Sequence, residues 1–200
     1  MNYIPPATHV CYLRNTLSTV GAKVTEKITA HEASVLYATA VAVSAIGIFA
    51  GIFFLFVNID MAVRVAAAIL VGIVGLLSFL RHSVFYKSDQ IRMGWRQDRP
   101  EFQLEVGYAN LAIGLWAFIS AALNWGTVAC GLSLVIYGTY LLCALFIHVR
   151  EANSFEDLHT PVHRQRVVRS VITTVLFVVV LLGFGLIALG HTGLVHIPGI

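Results

Sequence analysis

The chain has 200 residues, 58% of them hydrophobic and only 12% charged, with a formal net charge of +3 and a mean hydropathy of +0.82. Soluble domains average roughly 45–50% apolar and about 25% charged residues, so this composition excludes a soluble globular domain. It equally excludes a disordered chain, which needs low hydrophobicity and high charge. Long uncharged runs, rather than short alternating segments, point to helical membrane spans and not to a β-barrel.

The expected fold is all-α: a polytopic helical membrane protein of five transmembrane helices preceded by an amphipathic in-plane helix. The first unit is residues 1–33. Val10, Leu13, Leu17, Val20, Val24 and Ile28 recur every three or four residues, opposite Arg14, Lys23 and Lys27, which gives a helix one apolar stripe. Such a helix is expected on the cytoplasmic leaflet, its cations favouring anionic lipid by roughly 1 kcal/mol each, or packed on a partner or on the chain's own loops. Gly21 weakens the isolated helix, so it orders best on a surface. The first apolar run begins too late for a cleavable signal peptide.

The second unit, residues 34–189, holds five runs long enough to cross the hydrocarbon: Ser34–Val57, Ala62–Leu80, Leu104–Leu123, Thr127–Val149 and Val167–Leu189. Each needs about 20 apolar residues. Asn58 and Asp60, Arg81 and His82, and Asn124-Trp125-Gly126 mark breaks between them. Gly47 and Gly51 form a small-xxx-small step on the first span that permits close helix contact. Residues 190–200 form a short external tail. Cys11, Cys130 and Cys143 are read as packing residues, because the last two lie 13 positions apart on one helix and cannot bridge.

Of the 13 basic residues, 12 fall in the N-terminal segment, the second loop and the fourth loop with its flank, and five spans send all three to one side. Cationic loops are retained on the cytoplasmic side. The expected location is therefore the cell's inner membrane, N-terminus cytoplasmic and C-terminus external. Arg64 alone falls opposite, four residues after Asp60, a spacing that lets the two pair on one helix face.

Ionisable residues at membrane depth are costly and call for a partner or a function. His82 ends the second span, Glu105 begins the third after a helix start at Pro100, and His148 and Glu151 end the fourth, all at the same leaflet. Arg81, His82, His148 and Arg150 are the cations available to Glu105, and His148 and Glu151 share a helix face at i and i+3. Four readings stay open: a structural interhelical network, a proton or ion relay, a divalent metal site on His82, Glu105, His148 and Glu151, since imidazole and carboxylate suit such ions, and haem held by the two histidines. Leu80 and Ile147 beside those histidines argue against haem. Asn110 lies seven residues after Gln103, on the same face, whereas Glu105 points elsewhere; both amides are expected to bond to neighbouring helices, with a substrate contact at Asn110 as the other reading. His159 and His163 flank Pro161, which is expected to start the fifth helix.

Arg81-His82 with Phe85, Gly94-Trp95, the run from Phe102 to Leu111 with Gly114, and His148 followed by Asn153 resemble a family of uncharacterised small bacterial and archaeal multi-pass membrane proteins. The resemblance covers about a third of the chain and implies that His82, Glu105, Asn110 and His148 act as one set; it implies no reaction. Two functions follow as expectations: a membrane protein with a cytoplasm-side His/Glu cluster for a proton, ion or metal, or a non-catalytic subunit of a larger membrane complex. Membrane lipid, a second copy or such a complex are the expected partners, and not nucleic acid.

Overall fold

The computed structural model describes residues 7–93, 100–154 and 161–195; for residues 7–29, 148, 151–154, 161–167, 169 and 170 only the backbone is described. Every element among them is a helix: α1 (Ala7–Leu55), α2 (Ile59–Ala66), α3 (Val74–Phe79), α4 (Tyr86–Met93), α5 (Pro100–Ala122), α6 (Thr127–Ser154) and α7 (Pro161–His191). Two π-helical segments, Ala67–Ile73 and Leu80–Val84, join α2 to α3 and follow α3, so that Ile59–Val84 is one continuous helical span. Five helices are long and apolar enough to cross a membrane: Ala30–Leu55, Ile59–Val84, Pro100–Ala122, Thr127–Ile147 and Val171–His191. The five-span architecture expected from the sequence is the observed one. The protein is an all-α membrane-type bundle.

α1 is a single helix from Ala7 into the first span, with no turn near residues 29–34. The side chains of the expected apolar stripe, Val10 to Ile28, and of Cys11 lie outside the described residues. α5 opens on Pro100, whose missing N–H costs nothing in a first turn, and α7 opens on Pro161 in the same way. α5 ends at a tight connection in which Asn124 adopts a left-handed φ of 55° and Gly126 one of 97°. These are the residue types that tolerate that backbone region.

The second span is the most buried of the five. Ala62, Val63, Ala66, Ala67, Leu70 and Val71 form the centre of the core, against Ala117 and Ala121 of α5, Leu134 and Tyr137 of α6, and Leu181, Phe184 and Ala188 of α7. Small residues let the backbones approach, as membrane helices require when lipid supplies no hydrophobic drive between them. The small step on α1 is used within the chain: Gly47 faces Ile69 and Leu70, and Gly51 faces the Phe184 ring. Cys130 is buried as a packing residue, whereas Cys143 is exposed, which corrects its expected burial.

The face of α5 turned to the bundle carries Gln103, Gly107, Asn110, Gly114, Ala117 and Ala121, at alternating spacings of four and three. Only small residues and two amides stand on it. At the end away from the cationic loops, Arg64 does not pair with Asp60. It reaches across to α5, donating from Nε to the Ala121 carbonyl at 2.6 Å and from Nη2 to that of Ala122 at 3.4 Å. The last carbonyls of a helix lack intrahelical partners, and a guanidinium satisfies two of them together. Asp60 instead accepts from Thr127 Oγ1 at the start of α6 and lies 3.5 Å from His191 Nε2 at the end of α7.

A Cβ added to Gly75 would meet Gly114 Cα at 2.9 Å and the Asn110 carbonyl oxygen at 3.1 Å, both backbone atoms. Gly75→Ala is therefore expected to lower stability by about 1–3 kcal/mol, the usual cost of overpacking. Gly183→Ala, where a Cβ meets nothing within 4 Å, is expected to leave it unchanged. Thermal unfolding of the two detergent-solubilised variants, followed by tryptophan fluorescence, checks the contrast.

Candidate functional site

The short helix α4 folds back from the end of the second span and packs against α1, with Ser88, Asp89 and Gln90 all buried. Ser88 fastens it: its Oγ accepts the Ala33 backbone N–H at 3.1 Å and donates to Glu32 at 3.4 Å. Asp89 is thereby placed, fully buried, between the first three spans.

Arg92, one turn further along α4, donates to Asp89 Oδ1 from Nη2 at 2.9 Å and from Nε at 3.1 Å. Arg81 Nε lies 3.6 Å from the same oxygen. Oδ2 accepts from Gln103 Nε2 of α5 at 3.1 Å and has His82 Nδ1 at 2.9 Å, close in distance though outside hydrogen-bond alignment. Arg81 Nη2 lies 2.7 Å from His82 Nε2. A guanidinium can only donate, so Nε2 accepts and the ring proton sits on Nδ1, facing Asp89. Both guanidiniums also stand over the Tyr37 ring of α1, at 4.9 Å for Arg92 and 5.6 Å for Arg81, where the ring face attracts cations.

The π segment Leu80–Val84 presents Arg81, His82 and Ser83 to this cluster. It is closed by an i→i+5 bond from the Phe85 N–H to the Leu80 carbonyl at 2.9 Å. Such wide turns recur at functional positions in helices. Two turns further along α5 from Gln103, Asn110 forms a separate clasp between α5 and α6. Its Nδ2 donates to the Val106 carbonyl at 2.7 Å and to Tyr140 Oη at 3.0 Å, and its Oδ1 accepts from Tyr137 at 3.1 Å.

Burial by itself would push the Asp89 carboxyl up, yet the His82 N–H beside it and the charges of Arg81 and Arg92 together win and hold it down to about 2. It is a carboxylate at any physiological pH. Two guanidiniums thus converge on one carboxylate. Moreover, five buried polar atoms have no hydrogen-bond partner among the described residues, and all belong to this cluster and the residues flanking it: Arg81 Nε, His82 Nδ1, Ser83 Oγ, Gln90 Oε1 and Gln103 Oε1. Two of the five, Arg81 Nε and His82 Nδ1, still lie within ion-pair range of Asp89.

The structure brings together His82 and Arg81 of the expected set, around a carboxylate the sequence reading did not single out. Glu105 is exposed and takes no part in the cluster. It stands two residues from Gln103, about 200° around the helix, so a face that buries Gln103 turns Glu105 outward. The expected pairing of Glu105 with His82 is thereby corrected. Asn110 joins α5 to α6, as an amide hydrogen-bonded to a neighbouring helix. The side chains of His148 and Glu151, and residues 155–160 with His159, lie outside the described residues. No group of three His, Cys, Asp or Glu suited to a metal occurs among the described residues, and the guanidiniums beside Asp89 would repel a divalent cation there. Asp89 and Arg92 left one sequence signal, their i, i+3 spacing; Tyr37 left none.

These features define a helical membrane-type bundle with a buried ion cluster at one end. Residues 34–189 match the model of a family of unknown function, DUF6790, and the chain belongs to that family. Neither the curated proteins nor the solved structures contain a match to it.

Removing the carboxylate leaves two guanidiniums facing each other with little water. Asp89→Asn is expected to cost about 3 kcal/mol of stability, in the range for breaking a buried ion pair. Acid supplies an independent check. The folded-state carboxyl lies below its ordinary 3.8, so the stability it contributes is complete above about pH 4 and is lost as pH falls toward 2. The difference corresponds to about 2.5 kcal/mol. Unfolding midpoints measured from pH 5 to pH 2 should show this component in the wild type and not in Asp89→Asn.

Proposed function

We propose that the chain is an integral membrane protein whose Asp89 cluster is an anion-binding centre on the cytoplasmic side. The observation that carries this reading is the charge count of ion-paired groups at the cluster among the described residues: Arg81 and Arg92 against Asp89, with the His82 ring neutral in its Nδ1–H form and Glu32 bonded to Ser88. One carboxylate offsets one guanidinium. The second is left to attract an anion, and Arg92 and Arg81 keep side-chain exposures of 21% and 17% through which it can be reached.

The other ionic roles fit less well. A carboxyl held at about 2 does not take up protons near neutral pH, and its guanidinium neighbours disfavour a metal. The gathering of 12 of 13 basic residues toward one side supports assigning that side to the cytoplasm. It also raises the local concentration of anions.

A second reading has its own support. The cluster ties α1, the second span, α4 and α5 together, which is what a non-catalytic subunit of a larger complex would need. Calorimetric titration of the purified protein in neutral detergent with inorganic phosphate and with sulfate separates the two. An anion centre is expected to bind at least one of them, with affinity falling at least tenfold in Arg92→Gln, whereas a purely structural cluster binds neither.

A further inference from the structure

At the end of the bundle away from Asp89, a cleft of about 340 Å³ opens beside the connection between α1 and α2. Its walls are of two kinds: Phe54, Val57 and Met61 make an apolar side, and Asp60, Arg64 and Asn124 a polar one. Asp60 and Arg64 stand four residues apart on one helix, where opposite charges ordinarily pair, yet each is held by a different neighbour. Arg64 is tied to the Ala121 and Ala122 carbonyls through Nε and Nη2, which engages two of the five N–H groups a guanidinium carries. Both contacts of Asp60, with Thr127 Oγ1 and with His191 Nε2, fall on Oδ1, and its side chain is 60% exposed. The cleft therefore sets a carboxylate and a guanidinium apart from each other, each with bonding capacity left for a third group.

A simple anion drawn to Arg64 meets the Asp60 charge, and a metal ion drawn to Asp60 meets the guanidinium. A ligand with both signs on one short frame answers both. Its cation must bring N–H groups, because a carboxylate binds an ammonium through charge-assisted hydrogen bonds. A quaternary ammonium has none and is recognised by a cage of aromatic rings, whereas Phe54 is the one aromatic side chain among the described residues on these walls. Its anion must suit a guanidinium fork, which matches phosphate, with the Asn124 amide beside it. The apolar wall accounts for the rest of the ligand: Phe54, Val57 and Met61 stand where the first span ends and the second begins, and they fit glycerol and the upper acyl carbons better than they fit water.

Resting on the membrane placement proposed above and not on the anion reading of Asp89, we infer that this cleft binds a zwitterionic headgroup in which a primary ammonium is joined by a short spacer to phosphate. Asp60 takes the ammonium, and Arg64 with Asn124 takes the phosphate. Phosphatidylethanolamine and free phosphoethanolamine share this chemistry, and the apolar wall favours the lipid. Phosphatidylglycerol offers phosphate without the ammonium, and phosphatidylcholine an ammonium without N–H.

For the lipid source, the full chain is placed in nanodiscs of phosphatidylcholine, phosphatidylethanolamine and phosphatidylglycerol in equal parts, and retained lipid is counted by native mass spectrometry. Phosphatidylethanolamine is expected about tenfold over each of the others, the worth of one charge-assisted hydrogen bond. In Asp60→Asn the preference should fall to about twofold or less. In Thr127→Val, which removes the bond from α6 and spares the carboxylate, it should persist, which separates a binding role of Asp60 from a structural one. If Asp60→Asn does not fold, wild-type protein with N,N-dimethyl phosphatidylethanolamine decides: the preference must shrink as N–H groups are replaced. For the soluble source, delipidated protein in neutral detergent is titrated calorimetrically with phosphoethanolamine, and binding lost in Asp60→Asn assigns the cleft to the free compound. Equal or reversed retention of the three lipids, with no Asp60-dependent binding of phosphoethanolamine, overturns the inference and leaves the Asp89 reading intact. Selection lost in Arg92→Gln and kept in Asp60→Asn also overturns it, by moving the site to the other end. Protein that stays dissolved without detergent defeats the membrane placement itself.

Discussion

A carboxylate withdrawn from water between two guanidiniums is the interaction on which this end of the molecule depends. Asp89 is reached by Arg92 from its own helix, by Arg81 and His82 from the second span and by Gln103 from α5, with Tyr37 of α1 beneath both cations. Four elements of the chain therefore meet at one charge. Buried ion pairs add little net stability relative to apolar packing of the same shape, yet they are costly to break. What such a cluster supplies is position: α4 is short, polar and unable to hold itself against the bundle by hydrophobic burial, and the charge fixes where it sits.

Much of the architecture was legible because the membrane enforces it. A span must satisfy its own backbone and present apolar side chains to lipid, so each one is announced by some twenty uncharged residues. The structure returns those spans with ends shifted by a few positions, and Pro100 and Pro161 mark helix starts as their chemistry requires. The candidate site was legible only in part. Arg81 and His82 were found by their depth at the end of a span, but the depth argument applied equally to Glu105, and only helical phase separates the two. The small and amide residues Gln103, Gly107, Asn110 and Gly114 already trace the inward face, and Glu105 is off it. Asp89 was hidden for a different reason: a polar residue in a basic loop reads as solvated, and nothing local says that its loop folds back and is buried.

The two ends of the bundle solve related problems by different means. At the cationic end the charges answer one another. At the other, Arg64 is drawn away from the acid four residues before it and given to the carbonyls that close α5, while Asp60 is shared between the start of α6 and the end of α7. A helix terminus carries partial charge of its own, and at that boundary it serves as the counter-ion.

The two wide turns of the second span act as spacers in its sequence. An α-helix advances 100° per residue, and a π segment absorbs one residue beyond what the α ladder would hold, resetting the phase of everything that follows. Val63, Ala66, Leu70 and Val71 face the core on one phase, and Arg81 and His82 face Asp89 on another, with the segments Ala67–Ile73 and Leu80–Val84 between and among them. Losing Leu80 would turn the guanidinium and imidazole that follow it about a quarter of the way round the helix relative to the core face. The length of this span is thus constrained more tightly than its composition: an apolar exchange within it alters packing, but a one-residue deletion dismantles the charge cluster without touching any of its members.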